Sequence, residues 1–234
     1  MTRLVFIPGL ACDETMWREQ SAALAEWNPV VALAHIPATS IEAMAQAILS
    51  AHEGRLVLCG ASMGGMIAME AARQSPARVV GLALLGTTAR PETPEMRQLR
   101  ETAITLFEQG RVAEVIEPNV AFAFHPENAR DAALTRSYID FVLRAGAEQL
   151  VRQNRAVIHR PDARKHLPNV HCPTLVVCGD SDQLAPSELS HEIATLIPEA
   201  EMVRITRSGH MLTMEQPLAV NAALESWLRR HWPP

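Results

Sequence analysis

One serine in this chain stands between glycines at a spacing that suits a nucleophile. Gly60-Ala61-Ser62-Met63-Gly64 follows the run Arg55-Leu56-Val57-Leu58-Cys59 and leads into Met66-Ile67-Ala68-Met69-Glu70-Ala71-Ala72, which has helical period. Gly-x-Ser-x-Gly between a strand and a helix places the serine on a sharp, strained turn. The glycines two residues away lack Cβ atoms, so strand and helix can approach. A hydroxyl is a poor nucleophile until a base takes its proton. Two later loops supply partners in the order acid, then histidine: Gly179-Asp180-Ser181-Asp182-Gln183-Leu184-Ala185-Pro186 and Ser208-Gly209-His210. His210 is expected to act as general base and then as general acid. The acid fixes its tautomer and stabilises the imidazolium. Asp182 is favoured over Asp180 because it lies further out on the loop. Asp180, next to the strand end, suits tying the turn to backbone N–H groups.

Acyl transfer also needs donors aimed at a developing oxyanion. The backbone N–H of Met63 at the helix start is one. Leu10, after Pro8-Gly9, is the second, with Gly9 expected to allow close backbone approach. Leu10, Met63, Met211 and Leu212 flank the catalytic positions. Phe122 and Phe124 have the spacing of one side of an extended strip. Ordinary core or cap packing is the alternative for all six; if they line the site, the acyl group is apolar and small to medium in size. His35, at the end of the second strand, and His125, in the insertion, read as structural or surface residues, with a pocket-lining place as the alternative for His125. Arg90 and Arg160 stand where they could meet a carboxylate.

The elements that must position these residues follow from the apolar pattern. Leu4–Ile7, Arg55–Cys59, Val79–Leu85 and Thr174–Cys178 are nearly continuous in apolar residues, as strands buried on both faces of a parallel sheet are. Pro29–Leu33 and Met202–Ile205 complete about six strands. Segments 14–27, 40–52, 187–197 and 218–230 have helical period, with Ser40 as an N-cap. This alternation predicts an α/β fold with right-handed crossovers. Between about 87 and 170 no strand-like run occurs. Residues 93–117 and 127–159 read as helices, broken at Gly110, Pro118, Pro126 and Gly146. The expected organisation is a core of residues 1–86 and 171–234, with a helical cap of residues 87–170 inserted after the fourth strand.

Composition narrows the function classes. The 234 residues are 48% hydrophobic and 20% charged, with a net charge of −5, and no basic run forms a nucleic-acid footprint. The longest uncharged apolar segment, Leu56 to Met69, is shorter than the roughly 20 residues of a membrane span. The apolar stretch after Arg3 is too short for a signal peptide and is broken by Pro8-Gly9. Cys12, Cys59, Cys172 and Cys178 show no CxxC spacing, and no HExxH occurs. No metal site is therefore expected, and a reducing, cytoplasmic setting is.

Taken together, the Pro-Gly turn, Gly60-Ala61-Ser62-Met63-Gly64-Gly65, the helical insertion, Cys172-Pro173-Thr174 leading to Gly179–Asp182, and Ser208-Gly209-His210 resemble the α/β-hydrolase superfamily. The likeness is to its small bacterial esterase-like and lactonase-like members, over essentially the whole chain. It implies a mostly parallel sheet, a cap over the site, no cofactor, and a triad at Ser62, Asp182 and His210. Two features depart from the family pattern. Pro8-Gly9 stands where many relatives have His-Gly, and the first two strands of larger relatives are absent. The expected function is a serine hydrolase that cleaves a small carboxylic ester, lactone or thioester through an acyl-enzyme on Ser62. The alternatives are a carbon–carbon bond hydrolase with the same triad, or a slow-turnover small-molecule binding protein.

Overall fold

A computed structural model describes residues 2–234. The apolar runs form one six-stranded parallel sheet: β1 (Thr2–Ile7), β2 (Val30–Val31), β3 (Arg55–Ala61), β4 (Val79–Leu85), β5 (Thr174–Gly179) and β6 (Glu201–Ile205). The order is β2-β1-β3-β4-β5-β6, and every pairing is parallel. Both faces are covered, which explains the unbroken apolar runs. Phe6, Val57, Cys59, Ala83, Leu85 and Val177 pack on one side with Trp17, Leu24 and Trp227. Val5, Ile7, Leu58, Leu82, Leu84 and Val176 pack on the other with Ile48, Ile67 and Ile193.

Register brings the carboxyl ends of the strands to one edge: Ile7 lies beside Gly60, Ala61 beside Leu85, Leu85 beside Val177, and Gly179 beside Ile205. The chain steps to β2 on one side of β1 and returns to β3 on the other. The crevice at such a reversal is where open α/β sheets bind ligands.

The helices are α1 (Arg18–Ala23), α2 (Ile41–Ala51), α3 (Met63–Gln74), α4 (Pro94–Glu108), α5 (Val112–Ala123), α6 (Ala132–Ile158), α7 (Ser187–Leu196), α8 (Leu212–Glu215) and α9 (Pro217–His231). Ser40 caps α2 by accepting the Ala43 N–H. Segment 14–27 is not one helix: α1 is flanked by 3-10 turns at Glu14–Trp17 and Ala25–Trp27. The second strand is shorter than its apolar run, because the chain turns at Leu33, whose carbonyl takes the Ile36 N–H. Helices α4, α5 and α6 fill the stretch between β4 and β5. Pro118 lies inside α5 rather than ending it. A proline removes one intrahelical bond, but its fixed φ is itself helical. Gly146 does interrupt α6, at φ 75° and ψ 166°.

The two arms of this insertion are bound together. The Glu92 side chain, buried on the first arm, receives Arg100 at 2.6 Å and Arg160 at 2.8 Å. The Ala163 N–H donates to Ala89 O at 2.9 Å. Among the described residues, no helix is long and apolar enough to cross a membrane.

Candidate active site

Ser62 joins β3 to α3 at φ 54° and ψ −117°. A non-glycine residue at positive φ is strained, and its surroundings must hold it there. Its N–H donates to Leu85 O at 2.9 Å, and its carbonyl accepts the Gly65 N–H at 2.9 Å and the Thr87 hydroxyl at 2.7 Å. The neighbouring glycines are required for space. A Cβ at Gly60 would lie 2.2 Å from Gly64 O, and one at Gly64 would lie 2.1 Å from Ile7 O. Gly65 is closed off in the same way by Thr87, at 2.7 Å.

The serine hydroxyl lies 2.9 Å from His210 Nε2, and His210 Nδ1 lies 2.8 Å from Asp182 Oδ2. Asp182 Oδ1 accepts the N–H groups of Leu184 and Ala185, at 2.9 and 2.8 Å. Both Asp182 oxygens are thus engaged, and the carboxylate is aimed. Burial lowers the affinity of His210 for a proton, but the charge and hydrogen bond of Asp182 outweigh it, with a smaller contribution from Glu215. The net shift is upward. This arrangement lets a proton pass from Ser62 to the imidazole, with Asp182 holding the opposite nitrogen. Asp180 does different work: its oxygens accept the N–H groups of Arg207 and Ser208, at 3.1 and 3.3 Å, and the Ser181 hydroxyl.

Beside the serine, residues 9–12 form a tight turn. A Cβ at Gly9 would meet Ser62 Cβ and Ala61 O at 3.4 Å, an ordinary contact, so Gly9 is not the point of close approach that its type suggests. Gly9 N–H points at Met16 Sδ, Ala11 N–H at Gln153 Oε1, and Cys12 N–H at Gly9 O. Among the described residues, the N–H groups of Leu10 and Met63 have no partner. They are the two amides that sequence reading assigns to an oxyanion.

The remaining residues singled out from sequence are placed less uniformly. Phe122 and Phe124 do not form one strip. Phe122 is still in α5 and is 51% exposed, while Phe124 lies beyond the helix end, fully buried against Tyr138. Residues two apart on a helix do not share a face. Met211 and Leu212 are buried, and Leu212 packs where Gly86, Asp182 and His210 meet. Arg160 is taken by Glu92 and by backbone carbonyls, and Arg90 pairs with Glu192 at 2.9 Å, so neither waits for a carboxylate. His35 is buried, with its pKa pushed down to about 4 by burial. Among the described residues, no cluster of His, Cys, Asp or Glu has the makings of a metal site.

Sequence reading passes over three contributors. Gly86, at φ 51°, leaves room for the Asp182–His210 contact; a Cβ there would sit 3.2 Å from Asp182 Oδ2. Its position at the end of an apolar run was the only signal. Gln153 reaches the 9–12 turn from α6. Glu215, buried, accepts the N–H groups of Gly209 at 2.9 Å and His125 at 2.7 Å, and the Asn128 amide at 2.9 Å. Burial raises its pKa against these donors. It ties the histidine loop to the segment after α5. Ala123 O does the same by accepting both His210 N–H and Met211 N–H.

The family model described as "Alpha/beta hydrolase family" matches residues 4–223. The chain belongs to the alpha/beta hydrolase family. A thermophilic esterase from Thermogutta terrifontis superimposes with a TM-score of 0.91 at 29% identity, covering 98% of this chain and 90% of that one. The enol-lactonase from Burkholderia xenovorans LB400 shares the fold, with a TM-score of 0.86 at 22% identity, covering 97% of this chain and 92% of that one. Among curated relatives, the dihydrolipoyllysine-residue acetyltransferase component of the acetoin cleaving system of Pseudomonas putida is 28% identical over 254 residues. That match takes in 98% of this chain but spans 64% of the relative's length.

Proposed function

We propose that this protein is a serine hydrolase that cleaves a small carboxylic ester, lactone or thioester through an acyl-enzyme on Ser62. The observation that carries the reading is the continuous relay from Ser62 Oγ to His210 Nε2 at 2.9 Å and from His210 Nδ1 to Asp182 Oδ2 at 2.8 Å. The likeness to an esterase at 29% identity supports the ester class.

In this mechanism Ser62 Oγ attacks the substrate carbonyl as His210 takes its proton. Negative charge moves to the carbonyl oxygen, toward the N–H groups of Leu10 and Met63. The C–O or C–S bond to the leaving group then breaks, and His210 delivers its proton to that group. Water next gives a proton to His210 and attacks the acyl carbon; the C–Oγ bond then breaks as His210 returns that proton to Ser62 Oγ, which frees the acid and restores the enzyme. No step calls for a metal or an organic cofactor. The partner is a small molecule, and a cytoplasmic setting fits the four free cysteines.

The test is labelling of the folded protein by a fluorophosphonate probe, with Ser62→Ala as control, followed by turnover of aryl acetates, butyrates, lactones and thioesters. Labelling confined to Ser62 and hydrolysis of at least one class are expected. An unlabelled wild-type protein would overturn the reading, and turnover of vinylogous diketones alone would replace it with carbon–carbon hydrolysis.

A further inference from the structure

Residues 9–12 form a β-turn closed by Cys12 N–H on Gly9 O at 3.1 Å, with Leu10 and Ala11 at its centre. Ala11 stands at φ 59°. Positive φ at the third position of such a turn normally calls for glycine or asparagine. An alanine held there needs outside support.

That support grips the central peptide at both ends. Gln153 Oε1 accepts the Ala11 N–H at 2.8 Å, and the Cys12 thiol faces Leu10 O at 3.4 Å. Gln153 lies on α6, 142 positions away in sequence, and is fully buried. Its orientation is fixed by chemistry: an N–H faces it, so the oxygen must be the atom on that side. The Nε2 on the other side is buried without a partner. The amide's one hydrogen bond is therefore the one to the turn.

We infer that Gln153 is the positioning residue of the oxyanion turn, holding the Leu10–Ala11 peptide so that the Leu10 N–H keeps its aim beside Ser62. Without that acceptor the strained peptide is free to flip. Leu10 ψ and Ala11 φ rotate together, and the neighbouring Leu10 amide loses its fixed direction. The helical insertion thus helps to build the site. This inference rests on the serine hydrolase reading, since an oxyanion forms only if Ser62 attacks a carbonyl.

The experiment measures kcat and KM for an aryl ester hydrolysed by the wild type, Gln153→Leu and Gln153→Glu, with fluorophosphonate labelling of each. One oxyanion donor is worth about 100- to 1000-fold in kcat, so a misaimed donor in Gln153→Leu is expected to lower kcat about 10- to 100-fold. KM stays within about threefold, because the donor acts on the transition state. Gln153→Glu keeps an oxygen toward Ala11 and gives up no hydrogen bond, so it restores most of kcat. If Gln153→Leu fails to fold, Gln153→Asn withdraws the acceptor by one methylene and is read in the same way. Unchanged kcat in the variant lacking the acceptor would overturn the inference, as would a Glu variant as impaired as Leu. Absence of labelling in the wild type would instead remove the hydrolase reading beneath it.

Discussion

Glycines at the carboxyl edge of the sheet and glycines in the helical insertion answer different needs. A Cβ at Gly60, Gly64, Gly179 or Gly209 would come within 2.1 to 2.7 Å of a backbone atom. At Gly110 and Gly146 nothing lies within 4 Å, and only the positive φ of 77° and 75° singles them out. Around the serine and histidine, glycine is a requirement of space, and neighbouring chain segments fix one another's positions. In the insertion, glycine is a requirement of backbone direction at the ends and breaks of helices. The site is therefore built to close tolerances on the sheet edge, while the outer turns of the insertion have room to adjust.

The harshest way to break this contrast is Gly64→Ala. Its Cβ has no room beside Ile7 O, so loss of folded protein or a destabilisation above about 3 kcal/mol is expected in thermal melts. Soluble, fully active protein would show that the elbow is looser than its geometry.

Next come the two aspartates of one loop. Asp182→Asn is expected to lower kcat about 10⁴-fold, because an amide favours the wrong imidazole tautomer. Asp180→Asn weakens only a turn, and a loss of about 1–2 kcal/mol of stability with kcat within tenfold is expected. Equal kinetic losses would erase the distinction between the two carboxylates.

The pH profile sharpens the same point. His210 holds its proton more tightly than an ordinary histidine, so kcat/KM is expected to rise with pH through a value above about 6.5. The stabilising pairing of protonated His210 with Asp182 is complete below that ordinary value and fades as pH rises through the shifted one. Glu215→Gln removes one of the charges that favour the imidazolium, so the acidic limb of kcat/KM moves to lower pH. Stability falls by about 1–3 kcal/mol as Gly209 N–H or its neighbours lose an acceptor. A limb that stays in place would leave Glu215 with a structural role only.

The mildest change is Gly110→Ala. It meets no atom, and only the left-handed φ resists, so about 1 kcal/mol of stability is lost with activity unchanged. A large loss would mean that the insertion tolerates no more than the core loops do.

Much of this is legible in the sequence because the inner strands β1, β3, β4 and β5 are buried on both faces over most of their length. The Gly60–Gly64 spacing and the chain order of Ser62, Asp182 and His210 pointed to one edge of the sheet, and the fold brings the three within hydrogen-bonding range. What stayed hidden depends on tertiary direction. Gln153 and Glu215 look like ordinary polar residues on helices, and only packing shows which way they point. Phe122 and Phe124 have strand spacing in the sequence, whereas α5 continues through residue 123 despite Pro118.

The shared carbonyl of Ala123 has a consequence for traffic into the site. Two successive amides of the histidine loop hang from it, and Glu215 secures the same junction from the other side. Lifting the C-terminal end of α5 would drag the imidazole off its serine. Any movement of the insertion that admits a molecule must therefore leave this seam closed if the Ser62–His210 contact is to survive.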